Sequence, residues 1–264
     1  MSIPLPNKIE IIEDKTNPRI GTVIIEPCYP GYSITIGNAL RRVLLASLEG
    51  AAVTNMKIKG AQHEFSTIPH VKEDVLEIIL RLKKIRFKMF KDEPIQLTLN
   101  VKGEKEVTAG DIQKNSDIEI INPELVIASL TNRNAELDMQ LTVEKGLGYI
   151  SVDQKELQAE GREIGNIAVD SLFTPIVNVG MKVENVRVGQ MTNYEKLILT
   201  IETDGTIAVK DAVEKSSRTL INHFELLAPD RKENKEEEKI EEAEDEVKEE
   251  KKEGEKKKTK KSDK

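Results

Sequence analysis

One cysteine, no tryptophan and only 3% aromatic residues stand among 264 positions. With Cys28 alone an internal disulfide cannot form, and such usage fits a reducing compartment. So few aromatics leave little material for the stacking platforms of single-strand nucleic-acid binders. Nowhere is there a run of the roughly 18 apolar residues that a membrane span needs. The start, MSIPLPNKIEIIEDK, has no basic segment followed by an apolar one. These absences predict a soluble, unexported protein of the cytoplasm. A formal net charge of −7 argues against a protein that coats nucleic acid with a basic surface, though not against one local basic patch.

Catalytic signatures are missing too. There is no GxxxxGK[ST] and no GxSxG. His63-Glu64 opens like the zinc-protease helix HExxH, but Thr67 stands where the second histidine belongs, so residues 61–70 read as an exposed polar loop. Gly146-Leu147-Gly148 begins like a dinucleotide fingerprint, lacks the third glycine, and reads as a hairpin turn with no helix after it. Cys28 lies between Pro27 and Pro30 with no histidine nearby and reads as a structural thiol. Glu73, Asp74 and Glu77 read as a solvated, dipole-compensating face at a helix start.

What is present is a set of apolar helical stripes among short strands. Over residues 31–48, Ile36, Leu40, Val43, Leu44 and Leu48 share one helical face. Ser33 and Thr35 are expected to cap its start, and Gly50 to end it in a left-handed conformation. Arg41 and Arg42 flank the stripe, a pairing suited to a docking surface because guanidinium tolerates interfaces. Residues 71–85 predict a second helix, and residues 209–227 a third. The face of the third carries Val213, Leu220, Ile221, Phe224 and Leu227, interrupted by Ser216 and Ser217.

Between these helices lie alternating runs at 8–26, 51–60, 95–101, 118–121, 125–130, 137–143 and beyond 165, which predict mostly antiparallel sheet. In 51–60 the alternation slips phase once. The fold class expected is therefore α+β. From 229 to 264 the chain is Glu and Lys with almost nothing to bury, acidic first and basic last, and is expected to be disordered. Large apolar helical faces without a catalytic constellation describe an assembly subunit.

Several stretches together carry a family resemblance. They are residues 31–48 with Gly50-Ala-Ala-Val53, His63-Glu-Phe-Ser-Thr67, residues 71–80, Val107-Thr-Ala-Gly-Asp111 and Gly146-Leu-Gly-Tyr149. Residues 169–176, Val183-Glu-Asn-Val-Arg187 and Glu202-Thr-Asp-Gly-Thr206 continue the series. In this order, over about residues 8–227, the chain resembles the amino-terminal domain of bacterial RNA polymerase α subunits. The resemblance implies a dimerisation subdomain (1–49 with 173–228), an inserted β-rich subdomain (50–172) and the charged tail (229–264).

It also implies a homodimer joined through Ile36, Leu40, Val43, Leu44, Leu48, Val213, Leu220, Ile221, Phe224 and Leu227. On that dimer the β and β′ subunits assemble, with omega and sigma in the same complex. The β-facing residues would be Asn38, Arg41, Arg42, His63, Glu64 and Ser66, and the β′-facing ones Glu77, Lys83, Asp170 and Pro175. The chain would be a non-catalytic subunit of a nucleotidyltransferase, without a cofactor of its own, since magnesium belongs to β′ in this family. The Glu/Lys tail stands where family members usually carry a DNA-binding carboxy-terminal domain, so promoter contact through this chain is expected to be weak or absent. Two rival readings are a stand-alone enzyme with a site scattered over His63, Glu64 and Asp170, and a nucleic-acid binder acting through the tail's basic end.

Overall fold

The computed structural model describes residues 3–158 and 165–228; the tail expectation lies outside them. Two antiparallel sheets organise the chain. The first runs β1 (Lys8–Glu13), β2 (Ile20–Cys28), β14 (Met191–Thr203), β13 (Ile176–Val188), so its strands come from both ends of the described sequence. The second is built from residues between them. It runs β5 (Ile95–Lys102), β9 (Glu136–Leu147), β3 (Glu49–Ile58), β4 (Phe87–Met89), β7 (Ile118–Ile120), with β11 (Asn166–Ala168) also on β3. Two small pairs complete the strands: β6 (Glu106–Thr108) with β8 (Val126–Ser129), and β10 (Tyr149–Ile150) with β12 (Ser171–Leu172).

Period-two patterning explains the second sheet. In β5, Ile95, Leu97, Leu99 and Val101 point into the core while Gln96, Thr98, Asn100 and Lys102 face water. The phase slip in β3 is a bulge: pairing with β9 shifts between Val53 and Asn55, and Val53 and Thr54 are both buried. Helix α2 (Val75–Leu82) adds Val75, Ile78, Ile79 and Leu82 to the same apolar core. It is shorter than the expected 71–85, because Asp74 caps it, accepting a 2.7 Å bond from Glu77 N. Glu73 lies outside the helix and is buried, so the three carboxylates are not one solvated face.

Helix α1 (Tyr32–Ala46) packs on the first sheet. Gly37 permits the approach, since a Cβ there would stand 2.5 Å from Met181 Sδ and 2.9 Å from Leu197 Cδ1. Helix α4 (Val209–Glu225) begins against the same sheet, where a Cβ on Gly21 would meet Val209 at 2.9 Å.

Three local expectations are corrected. Ser33 does not cap α1: it is inside the helix, and its buried Oγ has no hydrogen-bond partner. Thr35 Oγ1 turns back to Gly31 O at 3.4 Å. Gly50 does not end α1; it belongs to β3, where a Cβ would fall 1.8 Å from Phe173 O, so close backbone approach is its reason. Nor does Gly146 sit in a hairpin turn. β9 continues through it to Leu147, the chain turns at Gly148 (φ 64°), and β10 pairs with β12 instead. A short helix, α3 (Val152–Gln158), does follow. None of the described helices is long and apolar enough to cross a membrane.

Candidate assembly surfaces

The start of α1 is held by a residue far away in sequence. Glu195 on β14 accepts bonds from Gly31 N (2.9 Å) and Ser33 N (3.3 Å), so a carboxylate answers the free amides and the positive end of the helix dipole. Around the helix, Ser33, Gly37, Leu40 and Leu44 face the sheet and are buried. Leu48 is also buried. Leu40, Leu44 and Leu48, which the resemblance assigns to a dimer contact, are thus already covered within one chain, Leu44 wholly so. The larger apolar side chains left partly open on α1 are Ile36, Val43 and Leu45, half-buried, with exposed Tyr32 and Ile34 beyond them. Asn38, Arg41 and Arg42 are exposed on the same helix.

Along α4 the buried residues are Val209, Ala212 and Ser216. Val213 and Leu220 are half-buried and Ile221 and Phe224 are 53% and 60% exposed, while Leu227, 80% exposed, lies two residues past the helix, which is shorter than the expected 209–227. Leu226 is exposed as well.

His63 and Ser66 form one turn: Ser66 N donates to His63 O at 3.1 Å, and Ser66 Oγ lies 3.2 Å from His63 Nδ1. Glu64 is half-buried beside them, and Phe65 stands 74% exposed at the tip. Val75 N donates to Ser66 O at 3.2 Å, which ties this loop to the start of α2. On α2 itself, Glu77 is exposed between Leu76 and Leu80, which are exposed too.

At the other end of α2, Lys83 Nζ pairs with Asp170 Oδ2 at 3.1 Å. Asp170 Oδ1 accepts the Val152 amide at 2.9 Å. That amide, then Lys83 and the Tyr149 side chain, hold the Asp170 carboxyl below its ordinary range against the opposing effect of burial. Pro175 is buried, and its carbonyl accepts Asp204 N at 3.0 Å, so it shapes this region without offering side-chain surface.

The sequence reading includes Phe65 only as part of the 63–67 loop and does not single out Leu76 or Leu80, all three of which are exposed. For Glu195 no local signal exists, since its partners lie 162 and 164 residues away. Of the residues in the scattered-enzyme reading, His63 pairs with Ser66, and Asp170 with Lys83 and Val152. Among the described residues no group of three or more His, Cys, Asp or Glu is placed to hold a metal. Cys28 is buried, with Sγ 3.6 Å from Ile25 O.

Comparison with known proteins identifies the family. The profile of the RNA polymerase Rpb3/RpoA insert domain matches residues 56–174. The DNA-directed RNA polymerase subunit alpha of Moorella thermoacetica is 50% identical over 208 residues, 79% of this chain and 66% of the relative. The protein of the same name in Flavobacterium psychrophilum is 46% identical over 229 residues, 86% of this chain and 68% of that one. That of Oceanobacillus iheyensis is 44% identical over 231 residues, covering 87% and 73%. The chain thus spans about two thirds to three quarters of the length of these relatives. Identity of this extent, over nearly all of the residues that form the two sheets and four helices, leaves one conclusion: the chain belongs to the α-subunit family of bacterial DNA-directed RNA polymerase.

Proposed function

We propose that this polymerase subunit acts without catalytic residues of its own, as a cytoplasmic homodimer on which the two large subunits, β and β′, assemble. The observation that carries this reading is the end of α4 and the turn after it, where Ile221, Phe224 and Leu227 leave most of their surface to water. Apolar side chains grouped on one helix in this way mark a contact yet to be made. Residues 1–49 and 173–228 would form the dimerising part and 50–172 the insert. Ile36, Val43, Tyr32 and Ile34 would join α4 in the dimer contact, with Val213 and Leu220 at its margin.

Asn38, Arg41 and Arg42 would face β together with the His63–Ser66 turn, to which Phe65 adds an aromatic anchor of the kind that concentrates binding energy. Glu77, Leu76, Leu80 and the Lys83–Asp170 pair would face β′. Arginine suits the first surface because its planar fork pairs with carboxylates or carbonyls even when water is removed.

The test is the mass of the full chain in solution. Wild type at micromolar concentration should show twice 29.7 kDa. Phe224→Asp buries a charge in the proposed contact and should lower dimer affinity at least about a hundredfold. A wild-type monomer at that concentration, or a dimer indifferent to Phe224→Asp, would overturn the reading.

A further inference from the structure

The end strands of the second sheet, β5 and β7, are each paired on one side only, and not to each other. On β5 a loop takes part of the outer edge, where Gln113 N donates to Thr98 O at 2.9 Å. The outer edge of β7 is open. Its register with β4 sets Phe87 against Ile120, Lys88 against Glu119 and Met89 against Ile118. Just beyond the strand's two ends, Phe90 N donates to Asp117 O and Ile121 N to Arg86 O, both at 3.0 Å. Bonded and non-bonded pairs alternate along an antiparallel ladder, so Ile118 and Ile120 turn their N–H and C=O groups away from β4. Among the described residues, Ile118 N alone of these outward groups has a partner, Asn115 O at 3.5 Å.

Beside that edge lies a recess of about 470 Å³, walled by Leu97, Ile112, Ile118, Ile120 and Pro123 together with the exposed ring of Phe90. A mostly apolar hollow with a few polar groups around it is the usual form of a binding site. Lys114 also lines it and is exposed. Lys91 nearby is answered by Asp117 at 2.7 Å, whereas no ion pair engages Lys114 among the described residues. The carboxylate on the lining, Glu119, stands in register with Lys88. Three demands therefore meet at one place. The outward N–H and C=O groups match an extended backbone, the recess matches a large apolar side chain, and Lys114 matches a carboxylate. A small apolar molecule would answer only the second.

We propose that β7 takes an extended segment of another protein as an added strand, with one large apolar side chain in the recess and an acidic residue toward Lys114. A residue paired with Ile120 turns its side chain to the face of Ile118 and Ile120, where the recess lies. Residues two positions away share that face, so an acidic one there lies on the side of Lys114. Because β7 is only three residues long, few backbone bonds are on offer and the filled recess supplies much of the affinity. The same shortness limits indiscriminate edge-to-edge pairing.

The experiment uses the full chain and the end-blocked peptide Thr-Asp-Thr-Phe-Thr-Asp-Thr, whose aspartates share a face with the phenylalanine. Anisotropy of a fluorescein-labelled copy reads binding, and NMR reads hydrogen exchange at the Ile120 amide. Saturable binding with Kd below about 1 mM, and slower exchange at Ile120 once the peptide is bound, is the expected result. The peptide N-methylated at its phenylalanine keeps the side chain but loses the donor, and should bind at least about tenfold more weakly. Lys114→Glu changes an exposed side chain, leaves the fold intact and should weaken binding several-fold. Absence of saturable binding, or equal affinity for the N-methylated peptide or for Lys114→Glu, would overturn the proposal. So would an Ile120 amide already protected in the free chain, since residues 229–264 or a second copy would then fill the edge. Neither β nor β′ enters this test, so its failure and failure of the assembly reading are separable.

Discussion

Glu73 shows how much one carboxylate can depend on its setting. It accepts bonds from Ser129 N (2.7 Å), Ser129 Oγ (3.1 Å) and Arg81 Nη1 (2.8 Å), while its own side chain is almost fully buried. Burial alone would raise its carboxyl, but the Ser129 bonds and Arg81 outweigh burial and hold it below the ordinary range. A depressed folded value contributes stability that is full above the unfolded carboxylate range and lost as pH falls through the folded one. Glu73→Ala should therefore cost about 1–3 kcal/mol at neutral pH, because the half-buried Arg81 guanidinium and the Ser129 amide lose their acceptor. Urea unfolding of both proteins at pH 7 and in acid measures this. The gap should narrow as the pH falls; a gap that stays constant would contradict the assignment.

At the scale of elements, two contacts between distant segments decide where α1 and the insert sit. Phe173 lies between glycines of neighbouring strands: Gly50 would bring a Cβ to 1.8 Å from its carbonyl oxygen, Gly146 to 2.8 Å from its ring. Backbone cannot yield as a side chain can, so Gly50→Ala should prevent stable folding, whereas Gly146→Ala should cost about 1–3 kcal/mol by overpacking. Thermal unfolding of the two variants gives the order, and equal effects would contradict it. The second contact is the Glu195 cap. Glu195→Ala should cost about 1–2 kcal/mol, as loss of a helix cap does, and Glu195→Gln distinctly less because an acceptor remains. Urea midpoints test this, and identical midpoints for Ala and wild type would refute the cap.

These same contacts mark the limit of what the sequence discloses. Period 3.6 located α1 and α4, and period 2 located β5 and β9, because burial on one face writes itself into every turn or pleat. Even the bulge at Thr54 was visible as a slipped alternation. By contrast, the cap on α1 was assigned to Ser33 and Thr35 because local rules favour hydroxyls, and the actual acceptor arrives from β14. Gly50 looked like a helix stop for the same reason, while its true constraint, Phe173 O, is set by tertiary packing. Leu40 and Leu44 do lie on α1, which ends at Ala46 before Leu48, but periodicity cannot say whether their own sheet or a second chain covers them. Burial supplies that answer: the sheet side takes Leu40 and Leu44.

For the whole molecule, the proposed assembly role rests on family membership together with the exposed apolar residues of α1, α2 and α4. The Lys83–Asp170 pair and the Arg41–Arg42 helix are chemically different surfaces on one chain, which the proposed dimer with two distinct partners would require. The direct measurement is to purify the tagged full chain from its own cell and determine the mass and subunit stoichiometry of what accompanies it. Two copies of the chain with one each of the β and β′ polymerase subunits is the predicted result. A chain recovered alone at 29.7 kDa, without either large subunit, would contradict it.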